Sequence, residues 1–323
     1  MDIERHSQQI QSVLTAAKHV LVITHPQPDA DAVGSVAAMA QWLASLNTTH
    51  TVFCVDQPPS HLSWLVNFQP FIINPIVAAA GAYDAIIVMD CGDLKYAGVI
   101  DWLPAIKQKI PIINIDHHAT NSHFGDINIV DTEAASTTEI LFHLFRDRAF
   151  SLNAHVANAL LAGIVFDTYN FTNPNTSQRA LTVASALLSA GAGLTHVSEM
   201  VLRTKSVGTL QAWGQALTRL SFNPRWNVAS TVITVNDVEA GVSVPEIAEG
   251  AANFLNNVGG VDAALILHEL PDGIIKGSFR TNSDLIDVSK LAMLCGGGGH
   301  KKAAGFRLKG RLVKTDEGYW QIV

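Results

Sequence analysis

Four short apolar runs dominate the first third of the chain: HVLVIT (19–24), TVFCVD (51–56), AIIVMD (85–90) and PIINID (111–116). Helical patterns at 32–46, 133–147 and 154–165 come between or after them. Continuous apolar runs of this length are strands buried on both faces, and their alternation with helices implies a parallel sheet covered on both sides. Such a sheet binds ligands in the crevice outside the carboxyl ends of its strands. Those ends are polar here. AIIVMD stops at Asp90, PIINID stops at Asp116 with His117 and His118 next, and HVLVIT runs into His25, with Asp29 and Asp31 just behind.

A further acid, Asp167, ends the apolar run ALLAGIVF. Segments far apart in sequence can therefore deliver His25, Asp29, Asp31, Asp90, His117 and Asp167 to one crevice. Only 15% of the chain is charged, so gathering carboxylates is a notable expense. Brought together without compensation they would repel and take up protons. Divalent cations are the natural compensation, and a His and Asp set without Cys suits Mn²⁺ better than a structural zinc. Six ligands exceed one ion's share, whereas two ions ~3.5–4 Å apart with a bridging Asp would use all of them. Taken singly, each residue has a plainer role. Asp29 or Asp31 can cap the following helix, and a strand-end Asp can accept backbone N–H groups in a turn. Capping needs one Asp and no His, so the set argues for metal.

Residues 176–220 read mainly as helices, interrupted near GAG at 191–193. WNVASTVITV (226–235) reads as a strand, and 263–281 as two strands around Pro-Asp-Gly. The expected architecture is α/β: a parallel-sheet N-terminal domain over 1–190, a helical linker over 191–224, and a smaller α/β substrate-binding domain over 225–323. The net charge of −7 argues against a broad basic surface for long duplex nucleic acid. The charge is uneven. Residues 1–200 hold 8 Lys and Arg against 17 Asp and Glu, while 276–314 hold nine basic residues against Asp284 and Asp287. Cys54, Cys91 and Cys295 are too scattered for a zinc or disulfide framework. No apolar stretch reaches the ~18 residues of a membrane span, and the start, MDIERHSQQIQSV, lacks a signal-like apolar segment. These features lead us to expect a cytoplasmic protein without a membrane partner; homodimerisation stays open.

The tail holds LCGGGGHKKAAGF (294–306). Gly296, Gly297, Gly298 and Gly299 lack a Cβ and can turn backbone N–H groups toward an anion, with His300, Lys301 and Lys302 next. Arg280 upstream could clamp a phosphate bidentately. The Gly-Lys-Ser/Thr ending of a P-loop is missing.

The segments HPQPDADAVGS, VMDCGD, DHH at 116–118, GIVFDTYNF and GGGGHKKAAG occur in the order of the DHH phosphoesterases, which the chain resembles over nearly its whole length. The last motif is similar to that family's DHH-associated C-terminal domain. The short length resembles the subgroup that degrades oligoribonucleotides and removes the 3′-phosphate of adenosine 3′,5′-bisphosphate (pAp). The resemblance implies two Mn²⁺ ions, with Mg²⁺ or Co²⁺ as substitutes. One would be held by His25, Asp29 and Asp90, the other by Asp31, Asp90, His117 and Asp167. It makes Asp90, His117 and His118 the catalytic residues, with His118 either behind the metal ligands or on the substrate phosphate. Arg280 and the Gly296–His300 loop would bind the other end of a short single-stranded RNA or a dinucleotide. Two positions depart from the family pattern. Tyr169 stands where the fourth motif carries Gly, which implies a narrowed base pocket, and Ala30 separates the two aspartates of the first motif. The rival readings are a cyclic-dinucleotide phosphodiesterase, a short-chain polyphosphate hydrolase and, outside catalysis, a nucleotide-binding regulator.

Overall fold

The computed structural model describes residues 3–66, 70–103, 110–202, 206–238, 244–255, 258–299 and 301–323. The chain forms two compact units, Met1–Thr204 and Lys205–Val323.

The first unit is built on six strands, β1 (His19–Ile23), β2 (Thr49–Phe53), β3 (Phe71–Ile72), β4 (Ala85–Met89), β5 (Ile112–Asp116) and β6 (Ile127–Val130). All pair in parallel in the order β3-β2-β1-β4-β5-β6. The order reverses between β1 and β4, so the ligand crevice of such a sheet lies outside the ends of those two strands. The apolar runs divide by alternation. Val20, Val22, Ile87 and Ile113 pack on one face, beneath the helices Ala30–Ser45, Thr137–Asp147 and Ala154–Asp167. Leu21, Ile23, Ile86 and Ile112 face the other side, covered by the short helix Pro75–Ala79 and residues such as Ala97, Val99 and Leu103.

Helix Ala30–Ser45 lies directly against helix Ala154–Asp167. A Cβ on Gly34 would sit 2.4 Å from the Ala159 carbonyl oxygen, so the contact exists only because position 34 is glycine. The helix expected from residue 133 begins at Thr137, where the Ser136 hydroxyl accepts from the Glu139 N–H at 3.1 Å. Asp167, the end of the apolar run, closes the helix expected over 154–165, which runs Ala154–Asp167. The short strands β3 and β6 escaped the sequence reading, because two to four residues carry too little periodicity.

The stretch 191–224 is divided. Helix Leu194–Leu202 packs Val197 and Val201 into the first unit's core, and helix Val207–Thr218 packs Ala212 and Ala216 into the second's. The second unit holds a mixed sheet in the order β11-β12-β10-β9-β8-β7. Its strands are β7 (Ser221–Asn223), β8 (Val228–Ile233), β9 (Ala263–Glu269), β10 (Ile274–Arg280), β11 (Gly298–Gly299) and β12 (Ala303–Lys309). The Pro-Asp-Gly turn joins β9 to β10 as expected, with Gly273 at φ +73°. Helices Val207–Thr218 and Val244–Leu255 cover the face carrying Ile233 and Ile266, and helix Val288–Leu294 covers the face of Leu265, Phe279 and Phe306. A small hairpin, β13 (Leu312–Lys314) with β14 (Trp320–Ile322), follows. Among the described residues no single helix is long and apolar enough to cross a membrane.

Candidate metal centre

The sheet brings the expected ligands of the first unit together at its switch point. Thr24, fully buried, donates its hydroxyl to the Met89 carbonyl at 3.1 Å and ties the ends of β1 and β4. His25 follows. Its Nδ1 lies 2.8 Å from the Pro26 carbonyl, an atom that can only accept, so Nδ1 donates and Nε2 turns to the carboxylates. Nε2 is 3.3 Å from Asp90 Oδ2 and 3.8 Å from Asp29 Oδ2.

Asp29 is both a cap and a candidate ligand. Its Oδ1 accepts from the N–H groups of Asp31 and Ala32 at 2.9 and 3.1 Å, starting helix Ala30–Ser45, while Oδ2 faces His25. The sequence presented these two roles as alternatives; the two oxygens divide them.

Asp31 sits deeper. Its oxygens accept from the Thr137 and Thr138 N–H groups at 2.7 and 2.9 Å, so the start of helix Thr137–Asp147 receives the carboxylate. A Cβ on Gly163 would lie 2.2 Å from Asp31 Oδ1. That glycine holds open the seat of the carboxylate.

Asp90 occupies the middle. It has φ +55°, a left-handed conformation that a non-glycine residue seldom adopts away from turns and functional sites. Its Oδ2 faces His25, and its Oδ1 lies 3.6 Å from His117 Nε2 and accepts from the Thr137 hydroxyl at 3.0 Å. On the far side, His117 Nε2 is 3.4 Å from Asp167 Oδ2. Two groups result, each with its ligand atoms within 4.8 Å of one another: His25, Asp29 and Asp90, and Asp31, His117 and Asp167. Asp90 presents one oxygen to each.

The electrostatics describe a site short of positive charge. Burial, then the charges of Asp90 and Asp29, push the Asp31 carboxyl well above its usual value. Burial and the neighbouring aspartates do the same to Asp167, whose buried Oδ2 accepts no hydrogen bond among the described residues. Burial raises Asp29 to about 6. At Asp90 burial also pushes upward, but the bond from His25 and the charges of His117, His25 and His118 outweigh it and hold the carboxyl below its ordinary value. Burial lowers His25, yet the bond and charge of Asp90 overcome that and raise it to about 9. Oxygen and imidazole donors, an orphaned carboxylate oxygen and crowded negative charge together fit a divalent cation.

His118 is placed differently. Its Nδ1 is 2.7 Å from Asp116 Oδ1, and the bond to that carboxylate raises the ring to about 9. Asp90, His117 and His118 also form a compact triad, but the His118 nitrogen nearest Asp90 is committed to Asp116.

The sequence reading passed over several contributors: Thr137 and Thr138 as the seat of Asp31, Asp116 as the partner of His118, and Tyr96. The Tyr96 ring stacks on His25 at a centroid distance of 6.0 Å. Past Asp167, Tyr169, Asn170 and Phe171 have φ values of +49°, +58° and +63°. A Gly at the Tyr169 position would meet that conformation without strain, which gives the family's glycine a physical reason.

In the second unit the four glycines have separate duties. Gly296, at φ +74°, ends helix Val288–Leu294: its N–H donates to the Met293 carbonyl and that of Gly297 to the Ala292 carbonyl. A Cβ on Gly297 would lie 2.1 Å from the Gly305 carbonyl oxygen, and one on Gly299 2.6 Å from Ala304. Those two permit close packing on β12. Only Gly298 among the four has open space at an ordinary φ. Arg280 ends β10, with Nη1 donating to the Phe279 carbonyl at 3.1 Å. His300 lies outside the described residues.

Residues 19–164 match the family description "DHH family, N-terminal domain", and residues 230–317 match "DHHA1 domain". The bifunctional oligoribonuclease and PAP phosphatase NrnA of Thermus thermophilus is 27% identical over 94% of this chain and 88% of its own length. The cyclic-di-AMP phosphodiesterase PdeA of Listeria monocytogenes is 26% identical over 98% of this chain but only 50% of its own length. In structure, an exopolyphosphatase-related protein from Bacteroides fragilis superposes with a TM-score of 0.86 at 24% identity, over 95% of this chain and 92% of that one. With both domain matches in register with the two folded units, the chain belongs to the DHH family, a DHH N-terminal domain followed by a DHHA1 domain.

Proposed function

We propose that the protein is a Mn²⁺-dependent phosphoesterase that hydrolyses short oligoribonucleotides, pApA among them, to mononucleotides and removes the 3′-phosphate of pAp. One observation carries the reading: the Asp90 carboxylate gives one oxygen to the His25–Asp29 side and the other to the His117 side. A relative of matching length named for both activities supports the substrate class.

In this reading His25, Asp29 and Asp90 hold one ion, and Asp31, Asp90, His117 and Asp167 hold the second. When bound, such a pair supplies an acidic water near neutral pH and positive charge for the phosphoryl oxygens. The chain's own residues do the rest. Asp31 is fixed by two backbone N–H groups and cannot swing away when the site fills. His118 is kept out of the ligand set by Asp116 and so presents its ring to the substrate phosphate. Arg280 and the Gly296–Gly299 segment, with His300, receive the remote end of the substrate. The product mononucleotides suit a cytoplasmic enzyme that finishes RNA decay.

Turnover in Mn²⁺ against EDTA, on pApA, a five-nucleotide RNA, pAp and cyclic di-AMP, tests the reading. Mn²⁺-dependent release of mononucleotides from the RNA and pApA supports it. Cleavage of cyclic di-AMP alone favours the signalling reading, which the Listeria relative motivates. No turnover on any of the four, with Mn²⁺ bound, leaves a nucleotide-binding regulator or a polyphosphate hydrolase.

A further inference from the structure

Behind His118 lies a buried amide network that the metal ligands do not use. Asp116 is fully buried. Its Oδ1 accepts from the His117 and His118 N–H groups at 2.8 and 3.2 Å and from His118 Nδ1, and its Oδ2 accepts from Asn121 Nδ2 at 2.6 Å. Asn121 also donates to the Cys91 carbonyl at 3.2 Å and accepts at Oδ1 from Asn114 Nδ2 at 2.9 Å and the His123 N–H at 2.8 Å. Asn114, fully buried inside β5, reaches on to Asn128 of β6 at 3.0 Å.

Two backbone groups decide which way the Asn121 amide points. The His123 N–H can only donate and the Cys91 carbonyl can only accept, so a flipped amide would lose both bonds and set an oxygen against Asp116. The donor must therefore face Asp116. Its position is also informative. The Asp90 N–H donates to the Ile115 carbonyl at 3.0 Å, at the very ends of β4 and β5. Beyond that point the Asn121 side chain spans from Cys91, next to the left-handed Asp90, to Asp116, which orients His118.

We propose that Asn121 is a positioning residue for the hydrolysis. Its amide braces the ends of β4 and β5, and holds the Asp116 carboxylate so that the His118 ring keeps the pose that meets the substrate. The proposal rests on the phosphoesterase reading for its substrate, but the geometry of His118 can be measured without one. A backbone bond from the Ser122 N–H to the Gly92 carbonyl at 3.0 Å pins the same loop, so replacing the Asn121 side chain leaves the loop attached.

The test compares wild type with Asn121→Asp, which puts a carboxylate oxygen where the donor was, and Asn121→Ala. Three readouts are taken: steady-state kinetics on pApA with Mn²⁺, Mn²⁺ affinity by calorimetry, and His118 ring resonances in the Mg²⁺ form, assigned with His118→Gln. The expected result is a kcat lowered ~10- to 100-fold, a common cost of losing a residue that orients a site group. KM and Mn²⁺ affinity should stay within about threefold of wild type, and the His118 resonances should shift in both variants. Unmoved resonances with unchanged kcat would overturn the proposal. So would losses of Mn²⁺ affinity and melting temperature that track kcat, because Asn121 would then serve the fold alone. A wild type inactive on every substrate would remove the phosphoesterase reading, and the His118 resonances would still decide whether Asn121 orients that ring.

Discussion

The two units use their polar residues in opposite ways. In the first, the central candidate ligands Asp31 and Asp90 are buried and their oxygens are engaged by neighbours. Asp31 is 1% exposed and Asp90 2%, held by Thr137, Thr138 and His25. In the second, Arg280 ends β10, and the backbone does most of the work in the glycine run: three of the four glycines serve a helix stop or close strand packing. A site that must gather like charges needs a rigid low-dielectric frame to keep them aimed. A surface that receives one end of a flexible substrate does not. Substitutions in the first unit should therefore abolish chemistry, and those in the second should shift affinity.

The sharpest test of the difference is Asp90→Ala. Removing the shared carboxylate should lower kcat on pApA at least ~10³-fold, with Mn²⁺ uptake by calorimetry falling alongside. Retained turnover would break the shared-carboxylate picture. Gly163→Ala should come next. The added methyl collides with Asp31 Oδ1 and the Thr138 hydroxyl, so Mn²⁺ affinity should drop ~10- to 100-fold although no ligand residue is replaced. Arg179→Met probes the frame without the site. The guanidinium bonds Asp131 at 2.6 Å and also Glu139, a carboxylate with no exposure at all. Leaving Glu139 unpaired should cost on the order of 2 kcal/mol, read as a lower melting temperature of the first unit. Arg280→Ala, in the second unit, should raise KM several-fold and leave kcat nearly unchanged. A kcat loss equal to that of Asp90→Ala would erase the contrast between the units.

The last test concerns pH. His268 of β9 is 1% exposed, and neither ring nitrogen has a hydrogen-bond partner among the described residues. Burial, then the charges of Lys276 and Arg307, lower it to about 4 from the ordinary 6.5. Between those values the unfolded chain binds a proton that the folded chain does not, so stability falls as pH drops from 6.5 toward 4 and is complete above 6.5. The second unit's melting temperature should decline over that window, and His268→Leu should flatten the decline.

Much of the site could be read from sequence because its ligands stand where apolar runs stop. His25, Asp90 and His117 are visible as polar residues at the ends of strands that have no other reason to change character. What was not visible is how one residue serves another across the chain. Nothing near Asp31 announces that its partners are Thr137 and Thr138, 106 and 107 residues away. The question of whether Asp29 caps or ligates had no answer in one letter, since the answer lies in its two oxygens. A usable signal did exist for the amide network: Asn114 interrupts the apolar PIINID, and a buried amide in a central strand calls for partners. The structural duties of the glycine run were not legible, because glycine marks tight packing and helix stops as readily as anion cradles.

The strand order also governs when the protein can come into being. His25 and Asp90 become neighbours only when β1 and β4 pair, after the chain has laid β2 and β3 to one side, and Asp167 arrives 142 residues after His25. Contacts this distant form late and slowly in folding. All six strands of the first sheet precede Asp167 in the chain, so the complete ligand set needs residues beyond the sheet. The proposed ligand set is therefore completed by the end of a helix, at Asp167, and not by the sheet alone.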